Sequence, residues 1–121
     1  MKVLVIDDER AIRGIIISVI APGEHEILEA ESAKQGLEIA IEENPDLVFC
    51  DLNCPEERDG LETIREILIR FPKTDIIAMS DNHDLLDEAL KAGAKKFLQK
   101  PFPPITLLIN IMREVNSKVV H

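Results

Sequence analysis

Five short apolar runs alternate along the chain with five longer stretches in which apolar residues recur every three or four positions. The runs Lys2–Ile6, Glu26–Glu29, Leu47–Cys50, Asp75–Met79 and Lys96–Leu98 are the candidate strands. Strings such as VLVI, LVF and IIAM suit strands buried on both faces, as in a parallel sheet. The amphipathic stretches predict helices over Arg10–Ile20, Ala33–Glu43, Gly60–Arg70, Asp84–Ala92 and Ile105–Val115. In the first of these, Ile12, Ile15, Ile16, Val19 and Ile20 form one apolar stripe. Breakers end the helical runs: Pro22-Gly23, Asn44-Pro45, Phe71-Pro72 and Gly93.

Five βα units joined by short connections predict one doubly wound α/β domain with helices on both faces of the sheet. At 121 residues, such a chain buries roughly two-thirds of its unfolded surface. With four Phe and no Trp or Tyr, its core must come from Ile, Leu, Val and Ala. The net charge of −9 argues against a nucleic-acid surface, which needs clustered Lys and Arg. It fits solubility, a site that recruits a cation, or steering toward a basic partner. Cys50 and Cys54 offer neither a disulfide framework nor metal-ligand spacing. His25, His83 and His121 stand isolated. No apolar run approaches the ~20 residues of a membrane span. The expectation is therefore a soluble, cytoplasmic protein.

In open α/β sheets ligands bind beyond the carboxyl ends of the strands. Asp7-Asp8-Glu9 follow the first strand, Asp51 the third, Ser80 the fourth and Lys100-Pro101 the fifth. Converging acids repel unless a cation joins them, and a hard divalent ion such as Mg²⁺ suits carboxylates, water and phosphate. One carboxylate can then act as a nucleophile toward phosphorus. The metal, the Lys ammonium and the Ser hydroxyl would hold the phosphoryl oxygens. The bland alternatives are that the acidic run caps the first helix, and that Ser80 caps the fourth in competition with Asp81, Asn82 and Asp84.

The strings VLVIDDE, DLVFCDLNCP, AMS and FLQKPF, in this order, resemble the response-regulator receiver family from about Lys2 to Val115. The resemblance implies a flavodoxin-like sheet of order 2-1-3-4-5, with residues 1–121 as one receiver domain. It makes Asp51 the phosphoacceptor, with Mg²⁺ (or Mn²⁺) held by Asp8, Asp51, the backbone carbonyl of Asn53 and, through water, Asp7. The Asn53 side chain is left free for another role. Lys100 would contact the phosphoryl group, ahead of a cis peptide to Pro101. Ser80 would be the switch hydroxyl, and Phe97 the aromatic that changes rotamer with it.

The implied function is a phosphorylation-dependent switch, not an enzyme with a separate substrate. A sensor histidine kinase or histidine phosphotransfer protein would donate the phosphoryl group. The surface of the fourth helix, fifth strand and fifth helix would then signal to an effector or output domain. Neither nucleic acid nor membrane is an expected direct partner, and a stand-alone shuttle and a piece of a longer regulator both stay open. Two other readings compete: a phosphohydrolase resembling the haloacid dehalogenases, which would want an acid where Asn53 stands, and an interaction module with vestigial phosphorylation.

Three features depart from the family pattern. Asp81 replaces the usual small residue after the switch hydroxyl; it either repels incoming phosphate or faces solvent as a cap. Cys54 replaces the usual Met, and the stretch Pro55 to Gly60 is one residue longer, adding Glu56 or Glu57. Ile17, Leu107 and Ile111 make the first and last helices over-apolar, which suggests an exposed patch for a homodimer or an effector; the fourth-helix, fifth-strand and fifth-helix surface is the other homodimer face expected.

Overall fold

A computed structural model describes residues 1–53, 59–103, 105–107, 109, 110 and 113. In chain order the elements are β1 (Lys2–Ile6), α1 (Arg10–Ile20), β2 (Glu26–Ala30), α2 (Ala33–Glu43), β3 (Leu47–Asp51) and α3 (Gly60–Arg70). Then come β4 (Asp75–Ser80), a 3₁₀ turn (His83–Leu85), α4 (Leu86–Ala92) and β5 (Lys96–Gln99). Residues 105–107, 109, 110 and 113 are helical; the rest of the expected helix Ile105–Val115 lies outside the described residues. So do Cys54, Pro55, Glu56, Glu57, Ile111 and His121.

All strands are parallel, in the order β2-β1-β3-β4-β5. Alternation along each strand splits the core into two layers. Leu4, Ile6, Val48, Cys50, Ile76 and Ala78 pack with Leu37 and Ala40 of α2, Ile64 and Ile67 of α3, and Ala89 of α4. On the opposite face Val3, Val5, Leu47, Phe49, Ile77 and Met79 pack with Ile16 and Ile20 of α1 and with Leu107. These are the two helical faces that serial βα units predict.

Two expectations are corrected. Leu107 is fully buried in the second layer, so it does not belong to an exposed patch, whereas Ile17 is only partly buried against that layer. Among the described residues of these helices, the exposed large apolar side chains are Ile15, Ile105 and Ile109. The strands β2 to β5 also each run one residue further than the apolar runs suggest, because ladder bonds continue. The Leu52 amide donates to the Met79 carbonyl at 2.8 Å, and that of Lys100 to the Ser80 carbonyl at 2.8 Å. Asp51 and Ser80 thus sit on the sheet itself. The fourth helix opens as the 3₁₀ turn, whose first free amide, that of Asp84, is taken by the Asn82 side chain at 3.0 Å.

Caps explain the other boundaries. Ser32 accepts from the Gln35 amide at 3.1 Å, and Asp59 from the Glu62 amide at 2.7 Å. Gly93, at φ 113°, closes α4 in the left-handed conformation. Gly60 has a different task. It starts α3 directly against the end of β3, where an added Cβ would meet the Asp51 carbonyl oxygen and Leu52 Cα, each at 2.8 Å.

Gly60→Ala is therefore expected to cost about 1–3 kcal/mol of stability, since backbone cannot turn aside. Gly14→Ala, in the exposed middle of α1 with nothing within 4 Å, is expected to stabilise by about 0.5–1 kcal/mol. Urea denaturation of both variants beside the parent reads the two opposite signs.

Candidate functional site

The sheet order places β1 beside β3 although their connections leave in opposite directions. The crevice at their carboxyl ends is the topological switch point where doubly wound sheets bind ligands. The register pairs Ile6 with Cys50, Asp51 with Met79 and Ser80 with Gln99. Asp7, Asp51, Ser80 and Lys100 consequently line one edge of the sheet. The Lys100-Pro101 peptide is cis.

Asp7 and Asp51 are buried, with 0% and 1% of their surface exposed, and Asp8 beside them is exposed. Oxygens from these three carboxylates lie within 4.8 Å of one another. The Lys100 ammonium donates to Asp7 Oδ2 at 2.7 Å and sits 3.6 Å from Asp51 Oδ2. Asp7 Oδ1 accepts from the Glu9 amide at 2.9 Å, and Asp51 Oδ1 from the Asn53 amide at 3.0 Å. Ser80, also buried, donates its hydroxyl proton to Asn53 Oδ1 at 2.6 Å and accepts from the Asn82 amide at 3.0 Å.

Burial works against the Lys100 ammonium. The hydrogen bond to Asp7 and the charges of Asp51, Asp7 and Glu9 outweigh it, so the lysine pKa lies above its ordinary value. Among the described residues, one ammonium meets three converged carboxylates, and an all-oxygen donor set with two buried members fits a divalent cation such as Mg²⁺ or Mn²⁺. Neither bland alternative accounts for this. Glu9 occupies the N-cap position of α1 without a side-chain capping bond. The cap before α4 is Asn82, while Asp81 is exposed beside it.

Phe97 is half-buried on β5, packed against the first core layer. The His83 ring meets it edge-on, with centroids 6.4 Å apart. Arg13 escaped the sequence reading: its Nη1 donates to the Asp7 carbonyl at 2.8 Å and its Nε to Glu29 at 3.0 Å. It lies on the polar side of the α1 stripe, so periodicity marks it only as surface. The Asn53 side chain, free for another role by the resemblance, accepts the hydrogen bond from Ser80.

The response regulator receiver domain model matches residues 3–112. The chain is 35% identical over 106 residues to the chemotaxis protein CheY of Thermotoga maritima, covering 85% of this chain and 88% of that one. It is 36% identical over 103 residues to the KDP operon transcriptional regulatory protein KdpE of Escherichia coli, covering 84% of this chain and 45% of that regulator. The crystal structure of the receiver domain of NtrX from Brucella abortus superposes with a TM-score of 0.82 at 28% identity, covering 95% of this chain and 98% of that one.

Removing the ammonium strands two buried carboxylates, so Lys100→Met is expected to cost the metal-free protein about 3 kcal/mol. Because the folded pKa is raised, the lysine's contribution is complete below its ordinary value of 10.5 and is lost as pH climbs through the raised one. Urea midpoints of parent and variant should therefore differ by a constant amount around neutral pH and converge as pH climbs through the raised lysine pKa.

Proposed function

The chain belongs to the response regulator receiver family of two-component systems, and from that premise we propose that residues 1–121 form one receiver domain that accepts a phosphoryl group on Asp51. The observation carrying this reading is Lys100 lodged between Asp7 and Asp51, with Asp8 completing the carboxylate group.

The donor in this reading is the phosphohistidine of a sensor histidine kinase or a histidine phosphotransfer protein. An Asp51 oxygen forms the new O–P bond in line with the departing nitrogen. The P–N bond breaks, and its electron pair returns to the imidazole, which is protonated as it leaves. Asp8, Asp51, the Asn53 carbonyl and, through water, Asp7 would hold a divalent cation, which would supply charge neutralisation for the phosphoryl group. Lys100, already 3.6 Å from Asp51, shifts its ammonium from Asp7 toward the new phosphate. Ser80 turns its hydroxyl to another phosphoryl oxygen, and Phe97 moves inward on β5 behind it. The faces of α4, β5 and the following helix then change toward an effector or output domain, a shift between two populations of one fold.

No separate substrate is turned over; the domain assists its own phosphorylation and hydrolysis. A phosphohydrolase of the haloacid dehalogenase kind gains no support, since Asn53 offers an amide bonded to Ser80 in place of a general acid. Among the described residues no helix is long and apolar enough to cross a membrane. We assign the protein to the cytoplasm, beside the kinase domain that phosphorylates it.

Intact mass spectrometry after incubation with a small acyl phosphate tests the reading. One added phosphoryl group is expected with Mg²⁺, and none after chelation or in Asp51→Ala; an unmodified parent under every condition would overturn it. The exposed carboxylate of Asp81 stands one residue from Ser80. Its removal in Asp81→Ala is expected to speed phosphoryl uptake about fivefold, the scale of one weakly screened charge. Equal rates would clear Asp81 of any kinetic role.

A further inference from the structure

We propose that Asn53 is a positioning residue: its side chain latches the Ser80 hydroxyl in the resting protein and must release it before Ser80 can serve a phosphoryl group. The proposal rests on the reading of Asp51 as phosphoacceptor.

A serine hydroxyl has one proton to give. In Ser80 that proton goes to Asn53 Oδ1 at 2.6 Å, at the short end of O–H···O bonds. Its oxygen meanwhile accepts from the Asn82 amide at 3.0 Å. The same proton cannot serve a phosphoryl oxygen on Asp51. Asn53 also donates its own amide to Asp51 Oδ1 at 3.0 Å, so one residue touches both the acceptor carboxylate and the switch hydroxyl. The resting and phosphorylated states therefore compete for a single hydrogen.

Competition of this kind lowers the apparent affinity for the phosphoryl group by the fraction of molecules unlatched. Ser80 is buried whereas Asn53 is exposed, so water can replace the hydroxyl at Asn53 once it is released. The latch is then a modest one, about fivefold in the equilibrium for a hydrogen bond of ordinary net strength. Release also carries information. The Asn82 amide holds Ser80, and the Asn82 side chain caps the turn before α4. A shift of Ser80 is thereby passed to the loop that starts the signalling face.

A double-mutant cycle over Asn53→Ala and Ser80→Ala tests the latch, with the backbone carbonyl of residue 53 intact throughout. Beryllium fluoride with Mg²⁺ serves as the phosphoryl mimic, titrated calorimetrically into the parent, both single variants and the double variant. Asn53→Ala is expected to tighten binding about fivefold when Ser80 is present and to change nothing in the Ser80→Ala background. An equal effect in both backgrounds would overturn the latch, since Asn53 would then act without the hydroxyl. Urea unfolding of the same four proteins without ligand gives an independent reading: the two positions should be coupled about fivefold in the folding equilibrium. If none of the proteins binds the mimic, the reading of Asp51 fails, and the urea cycle alone decides the latch, with additive variants refuting it.

Discussion

The arrangement depends on one buried ion cluster: the Lys100 ammonium between Asp7 and Asp51, at 2.7 and 3.6 Å, with Asp8 at the solvent edge. Taking two carboxylates out of water costs several kcal/mol for each charge. Lys100 offsets part of that cost and is itself held in the charged form by the acids around it. What remains is an excess of negative charge with its oxygens already converged. Such a site is poor at stabilising the fold and well suited to taking up a divalent cation and then a phosphoryl group. In the proposed function, the same cluster that burdens the resting protein would supply the chemistry.

The sheet makes this convergence repeatable. Asp7, Asp51, Ser80 and Lys100 are carried by four different strands whose relative positions are fixed by backbone ladders and by two apolar layers. Asp51 and Ser80 lie within the ladder itself, so their backbones have little freedom. Motion is left to side chains and to the segment after β4, where Ser80, Asn82 and the 3₁₀ turn are linked by two hydrogen bonds. In the proposed reading, Asp51 would be a rigid acceptor beside a movable Ser80, which is a physical basis for a switch.

Much of this was legible in the sequence because strand ends carry the chemistry. Apolar runs identified the strands, and the residues just beyond them named the carboxylates, the hydroxyl and the amine. The ends of β3 and β4 lie one residue further because Asp51 and Ser80 are polar, while the backbone ladder that includes them is indifferent to side-chain polarity. Leu107 was misread for a different reason. The last helix is apolar at Ile105, Leu107, Leu108, Ile109, Ile111 and Met112, so its periodicity does not fix which side faces the sheet. The contacts of Asn53 with Ser80 and of Arg13 with the Asp7 carbonyl are polar bonds between separate elements, and no local pattern encodes those.

Asp51, the proposed phosphoacceptor, is one of three converged carboxylates, and a covalent mark distinguishes among them. Borohydride reduces an aspartyl phosphate to homoserine and so marks the modified side chain covalently. After treatment with acyl phosphate and Mg²⁺, reduction and peptide sequencing, homoserine is expected at position 51 alone. Homoserine at position 7 or 8, with Asp51 unchanged, would rule Asp51 out as the phosphoacceptor.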